Sequence, residues 1–289
     1  MIDTRKVRLL LGVLLICGIA AAALVSSGCR SFSVTVATTA TIGQSPMYQS
    51  LIDEFENKNS VIVVTEEYDS SKEVQEAGAE GKADALLVSK NAALEEWMKK
   101  GYALSADDVF YSKFLVVGPD ADPAQIRGLD CPAKSCKKIG TAGMAFVACC
   151  DGSDLDTKVM GYWTKCGIDP VGQAWFTKTG EGVEETLTVA GEKQAYTVVD
   201  TSTWLANESD VNLKKLVEEC TMLMNQYSFV VVDTEKFQDG KSNVEGAKTL
   251  SEFVLGKKAQ DMIGAYKEAD VVIYQPNATK KPGGDVSNI

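Results

Sequence analysis

The chain has 289 residues, with 40 acidic against 29 basic side chains, eight cysteines and no histidine. A net charge of −11 leaves no basic footprint for nucleic acid, and without imidazole the serine–histidine and cysteine–histidine hydrolases and the histidine-based zinc enzymes are excluded. Arginine occurs only at Arg5, Arg8, Arg30 and Arg127, so an anion pocket in the body of the chain must use neutral donors, lysine or helix ends.

Residues 1–28 read as an export signal or membrane anchor: Arg5, Lys6 and Arg8 precede an uncharged apolar run from Leu9 to Val25, and Ser26-Ser27-Gly28-Cys29 closes it. The small-residue exit into Gly28-Cys29 looks like a lipobox, with Cys29 as the lipidated residue, although Ser26 stands where an aliphatic residue is usual. The alternative is an uncleaved anchor, because Leu9 to Val25 is close to the shortest spanning length of about 17 residues. Either arrangement tethers the protein to the outer face of the cell membrane. In an exported chain the remaining cysteines, Cys131, Cys136, Cys149, Cys150, Cys166 and Cys220, are disulfide candidates. Cys131 and Cys136, enclosing Pro132-Ala133-Lys134-Ser135, make the best local bridge, and the pairing of the others stays open. Asn207-Glu-Ser209 and Asn277-Ala-Thr279 are glycosylation sequons.

Beyond the leader, short β-branched runs alternate with amphipathic segments, the pattern of strand–helix–strand units and a mostly parallel sheet. Strands are predicted at residues 33–38, 61–65, 83–88 and 114–117, and helices at 46–57, 72–80 and 92–100, the last stopped by Gly101. A second segment opens with the cysteine-containing loop. It continues through 144–148, helices at 153–166 and 183–192, a strand at 195–199 and a short helix at 202–206. A buried strand at 229–232 precedes helices at 244–255 and 257–266 and a closing stretch at 271–274. No internal repeat stands out. This order predicts an α/β protein of two lobes, with the first lobe discontinuous: 29–115 and 228–275 in one, 116–227 in the other, and 276–289 a disordered tail. Chain crossings near 115 and 228 then make a hinged clamshell with a ligand cleft.

The first strand runs into Thr38-Thr39-Ala40-Thr41 and a helix starting near Pro46. Hydroxyls and free amides at helix starts make an anion site without formal charge, and the same residues serve equally as plain caps. Ser70 and Ser71 before one helix and Ser153 before another repeat the pattern. The ligand-binding candidates are therefore Thr38, Thr39, Thr41, Ser70, Ser71 and Ser153.

These segments resemble the extracytoplasmic tungstate-binding proteins that feed Tup-type ABC importers, members of the type II periplasmic-binding-protein fold, over roughly residues 34 to 274. Thr38-Thr39-Ala40-Thr41 is similar to the family's TTTS loop, and Ala83-Asp84-Ala85-Leu86-Leu87-Val88 to its DADVLLV strand. Asp108-Val109-Phe110-Tyr111 with Val116-Val117-Gly118-Pro119 is similar to DVMYNDFVIVGP. Trp175-Phe176 with Thr179-Gly180-Glu181-Gly182 is similar to WYLETGQG, Glu192-Lys193-Gln194-Ala195-Tyr196-Thr197 to EKGAYT, and Asn225-Gln226-Tyr227 to NPY. Departures fall on the ligand loop: against FVSRGDDSGTHK, Ala148 stands at the serine, Cys149 at the arginine and Leu155 at the threonine. Asp200-Thr201-Ser202-Thr203 stands where the family has DRGT, so a second arginine is absent.

The resemblance implies a binding protein with no catalytic residue and no cofactor. It would capture a small oxyanion of the tungstate or molybdate kind between its lobes and deliver it to an ABC-transporter permease, the lobes closing as the ligand contacts both. Without the arginines, hydroxyls, amides and helix dipoles carry the site. A second reading turns Cys149 and Cys150, beside Asp151, Asp154 and Asp156, toward a soft metal ion. A third keeps the fold as a surface-anchored sensor or scaffold that has lost its ligand. Tyr162, Trp163, Trp175 and Tyr227 read as packing residues rather than ligand stackers.

Overall fold

The computed structural model describes residues 33–236 and 242–278. The leader, Cys29 and residues 279–289 lie outside the described residues. No helix among the described residues is long and apolar enough to cross a membrane.

The first strand, Ser33–Thr39, pairs in parallel with Ile62–Tyr68 on one side and Ala85–Ser89 on the other. Period-two alternation then sorts side chains to the two faces of the sheet. Val34, Val36, Leu87, Phe229 and Val231 pack with helices Pro46–Glu56, Val244–Leu255 and Lys257–Ala265. Ala37, Leu86, Val88, Val230 and Val232 pack on the opposite face with Ser71–Ala79 and Ala92–Lys99. Both faces are covered, so the central strands are apolar throughout, and Ala85–Ser89 is buried at every position.

The sheet is mixed rather than mostly parallel. Strand Met224–Val232 runs antiparallel to Ala85–Ser89 and to a 16-residue strand, Ala103–Gly118, whose first eleven residues lay outside the predicted 114–117. Those residues include Asp107, Asp108 and Lys113, a composition that argues against a strand. The fold meets Asp108 with Ser228 Oγ, which donates to it at 2.9 Å, and with Lys90 Nζ at 3.3 Å, and it sets Lys113 Nζ 3.1 Å from Glu219. This strand also joins the lobes. Through Lys113 it pairs with Met224–Val232, and from Phe114 it pairs with Thr197–Asp200 and Lys214–Val217. The second lobe builds its own core on that far half, with Phe114, Val116, Trp163 and Val198 on one face and Leu115, Val117, Val199 and Trp204 on the other.

The expected cysteine loop is helical: Pro132 occupies the first turn of Pro132–Ala142, Cys131 is its N-cap residue and Cys136 is buried in its second turn. A helix with proline at its start is favoured because the missing N–H was an orphan donor anyway. All six described cysteines are free thiols, and Cys131 Sγ lies 3.5 Å from Met222 Sδ. The chain also stays attached past 276, where a tail was expected. Pro276 pairs with Phe110, and the Asn277 and Ala278 amides donate to Val109 O at 3.1 Å and Gln260 Oε1 at 3.0 Å. Both sequon amides are engaged, Asn207 Nδ2 with Thr203 O at 2.9 Å and Asn277 Nδ2 with Gln226 Oε1 at 2.6 Å.

Candidate functional site

A cleft of about 1050 Å³ opens between the lobes, and six helix N-termini end on it. Three belong to the first lobe, starting after Thr39, Ser45 and Ser70, and three to the second, after Ser153, Gly182 and Asp200. Each helix start leaves N–H groups without intrahelical partners and carries a partial positive charge. Their convergence follows from strand–helix units whose strands all end on one edge, where the polypeptide must turn into a helix.

Hydroxyl protons decide which side chains have a donor to spare. Ser45 Oγ accepts from Tyr48 N at 3.2 Å and gives its proton to Ile42 O at 2.8 Å, so it is a cap and is fully used. Ser70 and Ser153 accept from Glu73 N at 3.4 Å and from Asp156 N at 3.2 Å, which leaves the proton of each free to turn toward the cleft. Thr39 makes no capping hydrogen bond although it is the N-cap residue of Ala40–Gly43. Thr41 is exposed on the cleft wall.

Of the six expected residues, Thr39, Thr41, Ser70 and Ser153 line the cleft. Thr38 does not. It continues the Val34–Val36 face, is fully buried, and donates to Leu87 O at 2.7 Å. Adjacent strand residues point to opposite faces, and the TT pair in the sequence gives no sign of which is which. Ser71 is buried beneath Asp154, whose carboxylate accepts from its backbone N–H at 3.2 Å and from its hydroxyl.

Several lining residues were missed. Thr201, Ser202 and Thr203 sit at the start of Thr201–Asn207, capped by Asp200, which accepts from Thr203 N at 2.8 Å and Thr203 Oγ1 at 2.7 Å. An aspartate followed by hydroxyl residues is a legible helix-start signal. Tyr227, read as a packing residue, closes one side of the cleft with Tyr274 and Asn225, and Asn225 Nδ2 donates to its Oη at 2.9 Å. Tyr162, Trp163 and Trp175 do pack in the second lobe.

The charge of the lining is mainly negative. Among the described residues that line it, Asp69, Glu73, Glu76, Asp151, Asp154, Asp200 and Glu268 face Lys72 as the one basic side chain. Arg127 does not line the cleft; it is exposed and lies 3.1 Å from Asp120. Several carboxylates accept from local donors and keep their charge: Asp151 from Ser153 N at 3.0 Å, Glu73 from Asp69 N at 3.0 Å and Glu268 from Tyr266 Oη at 2.8 Å.

Cys149 and Cys150 do not line the cleft. Burial, reinforced by Asp151 and Asp156 though opposed by a hydrogen bond from Thr186, pushes the Cys149 thiol up to about 11, and burial raises the Cys150 thiol too. Among the described residues no three cysteine and acidic side chains converge as a metal site requires. Cys150 also holds φ at 54°, a left-handed conformation that costs a side-chain-bearing residue about 1 kcal/mol.

The family model described as the PBP superfamily domain matches residues 25–258. The chain is 34% identical over 253 residues to the tungstate-binding protein TupA of Peptoclostridium acidaminophilum, covering 86% of this chain and 87% of that one. It is 30% identical over 250 residues to a putative ABC transporter anion-binding protein of Haloferax volcanii, covering 85% and 72%. The structure of the tungstate-binding protein TupA from Desulfovibrio alaskensis superimposes with a TM-score of 0.78 at 26% identity, over 85% of this chain and 99% of that one.

Proposed function

The chain belongs to the PBP superfamily, and from that membership we propose that it is the extracytoplasmic solute-binding protein of an ABC importer, capturing a tungstate-like or molybdate-like oxyanion between its lobes. It is a binding protein and not an enzyme. The observation that carries the oxyanion reading is the convergence of six helix starts, from both lobes, on one cleft. Such ends bind anions through backbone N–H groups and the helix dipole without a formal cation. Thr39, Ser70 and Ser153 would add hydroxyl protons and Thr41 an exposed hydroxyl. Because these donors come from both lobes, a bound anion reaches its full set only when the cleft is closed, and binding shifts the hinge toward closure. The leader supports export, with Cys29 as the lipid-bearing residue that holds the protein on the outer face of the membrane beside its permease.

One observation favours an altered ligand: seven carboxylates against one lysine on the lining oppose a dianion more than a monoanion or a neutral solute. Thermal-shift titration of the purified protein with tungstate, molybdate, sulfate, phosphate and soft metal ions separates the readings. Ligand at 100 times its dissociation constant adds about 2.7 kcal/mol to the native state. A rise in melting temperature with tungstate or molybdate supports oxyanion capture. A rise only with metal ions, or none at all, refutes it.

A further inference from the structure

We propose that Asp154 is a built-in competitor for the oxyanion, closing the cleft on its own carboxylate in the absence of ligand. The proposal rests on the oxyanion reading of the cleft and adds the residue that sets its affinity. Asp154 lies in the first turn of Asp154–Cys166, where a carboxylate is commonly just a companion to its own helix dipole. Its hydrogen bonds go elsewhere. One oxygen accepts from Ser71 N at 3.2 Å and the other from Ser71 Oγ, across 83 residues of sequence and from one lobe to the other.

Ser71 N belongs to the first turn of Ser71–Ala79, so its hydrogen has no intrahelical partner. An amide and a hydroxyl at a helix start are the same donors that two oxygens of a tetrahedral anion would take. The carboxylate takes both, and Ser71 has no exposed surface, whereas Ser70 beside it remains on the cleft wall. The helix start at Ser71 is therefore already occupied by an anion belonging to the protein.

Two consequences follow. The lobes hold a bridging contact before any solute arrives, so closure does not report occupancy alone. An incoming oxyanion reaches the Ser71 donors only in the fraction of molecules whose bridge is open, and its apparent affinity is reduced by that fraction.

The test combines tungstate titration calorimetry with small-angle X-ray scattering of the unliganded purified protein, for wild type, Asp154→Ala and Ser71→Ala. Asp154→Ala is expected to expand the unliganded form and to bind tungstate about tenfold more tightly, the scale of one charge-assisted hydrogen bond. Ser71→Ala is expected to expand the unliganded form part of the way and without the gain in affinity, because it removes the hydroxyl half of the bridge, a ligand donor itself, and keeps the backbone N–H. It keeps the bridge testable should Asp154→Ala fail to fold. Unliganded variants as compact as wild type, or expanded Asp154→Ala with wild-type affinity for tungstate, overturn the competitor. Expansion in both variants with no heat from tungstate or molybdate in any form upholds the bridge and overturns the oxyanion reading instead.

Discussion

Thr39→Val removes a hydroxyl that no capping bond uses while keeping the β-branched shape that a strand end favours. Little stability is at stake, and the change in unfolding free energy should stay within about 0.5 kcal/mol. A hydrogen bond to an anion contributes about 1.5–3 kcal/mol, so the loss of this donor should weaken tungstate binding by roughly ten- to a hundredfold. Thr38→Val is the matched control one residue away. Thr38 Oγ1 donates to Leu87 O at 2.7 Å in a site with no exposed surface, and its loss leaves Leu87 O with one bond fewer, costing about 1 kcal/mol of stability. Tungstate affinity should be untouched. Urea unfolding and titration calorimetry on both variants read the two quantities separately. Weakened binding in Thr38→Val together with unchanged binding in Thr39→Val would refute the assignment of faces and, with it, the donor set of the first lobe.

Tyr196 is nearly fully buried, its Oη accepting from Ala124 N at 2.8 Å and donating to Asp122 at 2.9 Å, so Tyr196→Phe should cost about 2 kcal/mol in urea unfolding by orphaning that amide. Burial pushes Lys158, which donates to Met224 O at 2.5 Å where the chain re-enters the first lobe, down to about 8. Below pH 8 the folded and unfolded chains both carry its charge. Between pH 8 and 10.5 the folded form releases the proton first, so wild-type stability measured against Lys158→Met should rise by about 2–3 kcal/mol across that window. A flat difference would place Lys158 in solvent. Cys149, buried and with its thiol raised, should resist iodoacetamide at pH 8 in the native protein and label only on unfolding, whereas rapid native labelling mapped by mass spectrometry would contradict its place in the core.

Local pattern alone located the Pro46–Glu56, Asp154–Cys166 and Val244–Leu255 helices to within a residue or two, because caps and apolar spacing act over a few residues. It also located the apolar strand Ala85–Ser89 to within two residues. The helix starts at Ser70 and Ser153 were legible for the same reason. What the sequence left undecided was long-range. The charged half of Ala103–Gly118 becomes a strand by pairing with Met224–Val232 from a distant part of the chain, where Ser228 and Lys90 meet Asp108. Thr38 and Thr39 are equivalent as letters, and pairing with Ala85–Ser89 turns one into the sheet and the other toward the cleft. Asp154 and Ser71, 83 residues apart, become partners only when two lobes close, since no local propensity encodes a contact whose loop-closure entropy is repaid by the whole fold.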